Sequence, residues 1–380
     1  MNKFKICFLI LIIILTILAT GCWDMVEINE RIFPYTAGID NNYQSVDQKD
    51  KYIISFSYPN INALGNNPSS ATKVFSVSTE ASNIFEATNN LSNQIQEPID
   101  LKHLKVLSIS EDVAKDPNSI RQILDGINRD FVINKMVHLM VVKGSARELF
   151  NVKVKSQRQE AIDGSIYSIL RNRQNSTRFT PKTINRFIRD MDTQGASHMP
   201  VGIAGNNEVI VSGAGVFKNY KLVGYLNEME NRDVAILNGD LVQDGLDTQY
   251  EDSNLSLLIA NLKSKRKIIT GDEDIKVIFN VQVEGQIHEF ILDDNDKIDS
   301  DLIIKDMEKV LCKEMEKGLN KTIYKLQREL NADVIGILEH LYRFHPSLWE
   351  QVKDDWDSIF PQLDIKVNID LNIRRRGLTT

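Results

Sequence analysis

Leu363-Asp364-Ile365-Lys366-Val367-Asn368-Ile369-Asp370-Leu371-Asn372-Ile373-Arg374 alternates apolar and polar residues without a break. A period of two sends successive side chains to opposite faces of an extended chain, so this stretch predicts a strand with one buried and one wet face. Upstream, Ile304, Met307, Leu311, Met315, Leu319, Ile323, Leu326 and Leu330 recur in steps of three and four, which predicts a long helix over 301–330. A long helix that feeds a long strand points to a mixed α/β (α+β) fold, with helices packed on mixed sheets.

The same periodicities carry back along the chain. Residues 334–342 continue the helical pattern up to His345-Pro346. Ser347 with Glu350 predicts a capping box for a helix carrying Trp349, Val352 and Trp356, stopped by Pro361. Ile275, Val277, Phe279, Val281 and Val283 predict a half-buried strand, and Gly285 a turn into 286–292. Strands are expected at 208–218 and 221–226, joined at Asn219-Tyr220, with a short helix at 227–237. Gly195, Pro200, Gly202 and Gly205 make 195–207 the expected domain boundary. It separates an N-terminal α/β region, 31–200, from a C-terminal domain, 208–380. In the first region strands are expected at 31–40, 51–58, 73–78, 103–109 and 136–142, with a loop at 60–70. Helices are expected at 80–95 with Thr79 as cap, at 119–129, 146–150 and 160–172, and at 182–191 with Thr180 as cap and Pro181 in the first turn.

The N-terminus reads differently. Lys3 and Lys5 precede a run from Ile6 to Leu18 that is apolar except for Thr16, and small residues follow up to Cys22. That is the layout of a secretory signal peptide over 1–21, too short to cross a bilayer as a helix. The segment alone also allows plain cleavage to a secreted protein, or an uncleaved anchor. Leu18-Ala19-Thr20-Gly21-Cys22 resembles the lipobox of bacterial lipoproteins, with Ala19 where Leu is commoner and Leu18 beside it. The resemblance implies a diacylglyceryl group on Cys22, cleavage before it and acylation of the new amino end, by a palmitate-like chain. Residues 22–30 would then be a lipidated tether to a membrane. Two or more acyl chains hold a protein stably, since each buried methylene contributes about 0.8 kcal/mol.

Composition agrees with a globular body on such a tether. Hydrophobic residues make up 42% and charged residues 26%, as in ordinary soluble domains. The whole chain has a formal net charge of −7. Without Lys3 and Lys5 it carries 43 basic and 52 acidic residues, a net −9, which excludes a nucleic-acid partner held by charge. Cys7 leaves with the signal peptide and Cys22 is taken by the lipid. That leaves Cys312 as a small apolar residue of the long helix, with no disulfide.

No catalytic, cofactor or metal constellation emerges. The histidines are scattered, and His340 and His345 are five apart beside Pro346, which does not set them on one helical face. Asp293-Asp294-Asn295-Asp296 lacks the Gly and final Glu of a calcium loop. Gly213-Ala214-Gly215 lacks the third glycine and the helix that a dinucleotide site needs, so a hairpin explains it. Gly144-Ser145-Ala146 and Gly164-Ser165-Ile166 lack the flanks of a nucleophile elbow. Trp349 and Trp356 are expected in the core, and Arg374-Arg375-Arg376 at a solvated strand end.

Four ordered blocks resemble the Ger(x)C family, the lipoprotein C subunits of nutrient germinant receptors. They are Gly21-Cys22-Trp23-Asp24 with Glu27-Ile28-Asn29 and Ala37-Gly38-Ile39-Asp40; His103-Leu104-Lys105-Val106-Leu107 with Ser110-Glu111-Asp112-Val113-Ala114; Gly213-Ala214-Gly215-Val216-Phe217-Lys218 with Lys221-Leu222-Val223-Gly224; and Trp356 through Phe360-Pro361 to Arg375-Arg376-Gly377. The resemblance implies a non-enzymatic, three-domain mixed α/β body, in which the N-terminal region is one or two domains. It implies lipidation at Cys22, integral membrane receptor subunits as partners, and a place on the outer face of the spore inner membrane. The alternatives are a substrate-binding lipoprotein of a transporter and a surface hydrolase.

Overall fold

The computed structural model describes residues 31–45, 50–59, 74–152, 162–171, 178–241, 243–251, 253–270, 275–290 and 301–374, together with Phe4 and Phe8. The rest of the expected signal peptide, the tether with Cys22, the 60–70 loop, Asp293–Asp296, Arg375 and Arg376 lie outside the described residues.

The chain opens with β1 (Thr36–Asn41), β2 (Tyr52–Pro59), β3 (Val74–Ala81) and helix α1 (Ile84–Ser92). Then come β4 (Val106–Ser110), α2 (Glu111–Ala114), α3 (Pro117–Arg129), β5 (His138–Lys143), α4 (Ala146–Phe150) and α5 (Ile162–Arg171). The short β6 (Lys182–Thr183) leads into α6 (Ile184–Gln194), β7 (Ala196–Ala204), β8 (Val209–Lys218), β9 (Lys221–Leu226) and α7 (Glu228–Asn238). These strands form one nine-stranded sheet in the order β3-β2-β1-β4-β5-β7-β8-β9, with β6 on β5. Its centre, β1-β4-β5-β7, is parallel and its flanks are antiparallel.

Helices cover both faces of that centre, which is why β4 is buried at every position. Ile39, Leu107, Ile109, Leu139 and Val141 pack under α1, α3 and α6. Val106, Met140 and Val142 point the other way, against α4 and α5.

The second half forms a four-stranded sheet, β10 (Asp244–Tyr250), β11 (Ser253–Thr270), β12 (Ile275–Phe290) and β13 (Asp364–Ile373), in that spatial order. Between β12 and β13 run α8 (Asp301–Tyr324), its π-helical end Lys325–Leu330, α9 (Ile337–Phe344), α10 (Pro346–Val352) and α11 (Trp356–Ile359). β13 lies parallel to β12, with Val367 and Leu371 buried and Asp364, Lys366, Asn368, Asp370 and Asn372 exposed, as its alternation predicts. Met307, Leu311, Met315 and Leu319 of α8 share a core with this sheet, with α7, and with Ala196, Ala214 and Val216 of the first sheet. One apolar core therefore runs across both halves.

Several local expectations change. Residues 195–207 are not featureless: they contain β7, buried from Ala196 through Gly202 between β5 and β8. Pro200 is tolerated there because the ladder with β8 shifts register at Pro200/Gly202, and a bulge needs no amide from it. Glu80 and Ala81 belong to β3, and Asn83 rather than Thr79 caps α1 through the amides of Phe85 and Glu86. Lys182 and Thr183 pair with β5, so α6 starts at Ile184 with Thr183, not Thr180, as its cap. Gly285 makes no turn; β12 runs straight through it, and Leu257 packs so closely that an added Cβ would lie 2.7 Å from its Cγ. Pro346 takes the first turn of α10 and its cap makes no side-chain bond, so the Ser347/Glu350 box is absent and Trp349 and Trp356 sit on separate helices.

Candidate functional site

The first described residues of the body, 31–35, are the point at which the expected tether would enter it. Arg31 forms an ion pair with Asp100 at 2.9 Å. Ile32 donates its amide to the Pro98 carbonyl at 3.0 Å and accepts from Asp100 at 2.8 Å, and it bridges in parallel to Ile99. Tyr35 donates to Ser57 and accepts from both Lys105 and Val106. Phe33 meets the His103 ring edge-on at 4.8 Å. Residues 31–35 are thus tied straight into the ladders of β1, β2 and β4, elements whose side chains are mostly buried.

The sequence blocks explain themselves as joints of this body. Gly38 faces α4, and a Cβ there would sit 2.8 Å from Phe150 and 3.0 Å from Ala146. Two residues on, the Asp40 carboxylate accepts the amides of Ala146 at 2.7 Å and Arg147 at 2.9 Å, capping α4 from a distant strand. Burial pushes the Asp40 carboxyl up, and those amides pull it back. Gly213 has φ +66° and leaves no room for a Cβ beside the Leu226 carbonyl. The Asn219-Tyr220 turn that closes β8 onto β9 has positive φ at both positions, as a two-residue hairpin with right-handed twist requires.

Buried ionic groups cluster where the two halves meet. Lys182 Nζ lies 2.7 Å from Asp190 Oδ2, which also accepts from Ser197 at 2.9 Å. Burial lowers the Lys182 ammonium while Asp190 holds it up. His198 beside them is held neutral by burial, and both of its ring nitrogens lack a partner. On α7, Asn227 and Glu230 form a capping box, Glu230 pairs with Lys325 at 2.7 Å, and Asp233 accepts from Thr322 at 2.7 Å. Burial pushes the Asp233 carboxyl up to about 6. From the far side Asp333 caps α9 through the amides of Ile337 and Leu338. Apart from His198, these groups are spent on one another, which suits rigid packing of the two halves.

A groove of about 330 Å³ opens between α1 and α3, floored by Ile39, Tyr52 and Ile54 and bordered by Gln122. It holds no pair of acid/base groups. His340 and His345 do come together, with ring centres 5.9 Å apart, because the chain turns at Pro346. Among the described residues no group of His, Cys, Asp or Glu could hold a metal ion. Cys312 lies half-buried on α8, its thiol pushed up by burial. Trp356 is buried and Trp349 packs against the same core, with Tyr342 edge-on and Lys353 over its ring. Arg374 pairs with Glu284 at 2.6 Å. No helix among the described residues is long and apolar enough to cross a membrane. The residues that sequence reasoning missed are Asp40 and Asp233, whose partners are remote in the chain, and Lys182 and Asp190, which are close in sequence but sit on different elements.

Comparison with known proteins adds the context. Residues 24–202 match the family model "Spore germination protein N-terminal domain", and residues 212–377 match "Spore germination B3/ GerAC like, C-terminal". The chain is 25% identical over 97% of its length to spore germination protein YndF of Bacillus subtilis (strain 168), covering 96% of that protein. It is 24% identical over 99% of its length to spore germination protein B3 of the same organism, covering 98% of it. The crystal structure of the GerBC protein superposes with a TM-score of 0.61 at 20% identity, over 93% of this chain and 100% of that one. That likeness establishes a shared multi-domain α+β fold.

Proposed function

Since the chain belongs to the Ger(x)C family of spore germination proteins, we propose that it is a non-catalytic lipoprotein subunit of a nutrient germinant receptor. In this reading Cys22 carries the lipid, the residues after it form the tether, and the body is held on the outer face of the spore inner membrane. There it assembles with integral membrane subunits. The observation that carries the reading is the match of two germination-family domains across nearly the whole mature chain. The signal segment ending at Cys22 and the spending of buried charges on structure support it. The expected division into an N-terminal region, 31–200, and a C-terminal domain, 208–380, is part of the proposal. The alternative, a transporter's substrate-binding lipoprotein, would need two similar lobes around a cleft, and the described sheets differ in size, order and strand direction.

The test is Cys22→Ala in the full chain, expressed in a spore former. The variant is expected to leave the membrane fraction and to slow nutrient-triggered germination, with the wild type co-purifying with integral membrane proteins. Full membrane retention and normal germination of the variant would refute the reading.

A further inference from the structure

One end of the first sheet carries both the first described residues, 31–35, and an unusual loop. β1, β4 and β5 run parallel, with Thr36 beside Val106 and Val106 beside His138. The residues that lead into these strands therefore meet at one end of the sheet: 31–35, 101–105 and 130–137. Neighbouring strands lie about 4.8 Å apart, so β5 begins roughly 10 Å from where β1 begins.

The loop from α3 to β5 turns apolar side chains outward. Phe131 is 102% exposed, Met136 63% and Val132 43%. The loop is nevertheless well fastened. Asp130 Oδ1 accepts the amides of Val132 at 2.5 Å and Ile133 at 3.2 Å. Lys135 Nζ donates to the carbonyls of Ile127 and Asp130, and Asn134 Oδ1 accepts from Met136. Ile133 is buried in the core beneath. A chain that only had to avoid water would fold Phe131 inward or place a polar residue there. Here the backbone is fixed so that Phe131, Val132 and Met136 stay outside.

Two further facts select the occupant. Cys22 stands nine residues before Arg31, so an extended tether reaches at most about 30 Å. Charge at this edge is balanced, with Arg31, Lys102, Lys105, Arg129 and Lys135 set against Glu97, Asp100, Asp125 and Asp130, although the whole chain is at −7. An anionic bilayer surface repels this edge less than an average one.

We propose that residues 130–136 are a membrane-contact element. Phe131, Val132 and Met136 sit in the boundary between headgroups and acyl chains of the bilayer that holds Cys22, and they fix which edge of the body faces it. The inference rests on lipidation of Cys22, as argued under the proposed function.

The test uses the full lipidated chain with Cys312→Ala and one new thiol, Phe131→Cys, labelled with an environment-sensitive fluorophore. The protein is reconstituted in phosphatidylethanolamine–phosphatidylglycerol vesicles containing brominated acyl chains. Lys115→Cys, which follows β4 at the opposite end of the sheet, is the control. The expected result is a blue shift and loss of emission at 131 and neither at 115. Protein that floats with the vesicles while the label at 131 stays as wet as that at 115 overturns the proposal and leaves the anchor standing. A blue shift that needs added integral membrane subunits, without quenching by bromine, also overturns it, in favour of a protein contact. Failure of the wild-type chain to float at all overturns the anchor reading, and this inference with it.

Discussion

Gly38 lies under Phe150 with no space for a methyl group. Gly38→Ala must push α4 off the sheet, and it is expected to destabilise the body by about 1–3 kcal/mol, read as a lower urea midpoint. Asp233 supplies a pH dependence of known sign. Its native carboxyl titrates near 6 against an ordinary 3.8, first of all because of burial. The folded state therefore holds that proton more tightly than the unfolded chain between those values. Stability falls as pH rises through this window, and the cost is complete above it, amounting to at most about 3 kcal/mol. Asp233→Asn is expected to flatten the slope between pH 4.5 and 7.5 in urea titrations followed by circular dichroism, while keeping an oxygen for Thr322. Neither residue announces its role in the sequence. Gly38 and Asp40 fall inside a recognisable block, but the helix they serve begins at Ala146, and nothing local marks the pairing.

At the scale of elements, β13 shows how far a pattern can be trusted. Its period of two predicted both its existence and its buried face, because one side of the ladder is wet. Leu371→Ala is expected to cost about 2–5 kcal/mol, whereas Asp370→Ala on the wet face stays within about 0.5 kcal/mol; thermal unfolding of the two variants separates these outcomes. β11 was illegible for a definable reason. Leu255, Leu257 and Ile259 point into the core, and after the register shift at Ile259/Asn261 the inward positions become Leu262, Ser264, Arg266 and Ile268. A bulge changes the phase of the alternation midway, so neither half looks long enough to be a strand. β7 was hidden differently, since burial on both faces removes alternation and its Pro and Gly residues imitate a linker. By contrast α4 and β9 were bounded correctly, with short-range caps and turns around them.

For the whole molecule the question is what holds it and what orients it. Full burial of a Phe side chain is worth about 1.5–3 kcal/mol, whereas an acyl chain gains about 0.8 kcal/mol with every methylene. In the proposed arrangement the loop at 130–136 would be too weak to retain the body, yet strong enough to bias its tilt. Phe131→Asp with Met136→Asp is expected to leave the lipidated chain in the membrane fraction while increasing protease cleavage near residue 131; loss of membrane retention would mean that the lipid is not the principal attachment. The parallel pairing of β12 with β13 has a further consequence for biogenesis. The partner of β12 leaves the ribosome only after every helix described between the two strands. A nascent chain must carry a long, apolar, half-finished ladder until then, and a premature stop codon before residue 364 would leave that ladder open for good. Such truncations should surface as chaperone-bound or insoluble material rather than as a shortened, working protein.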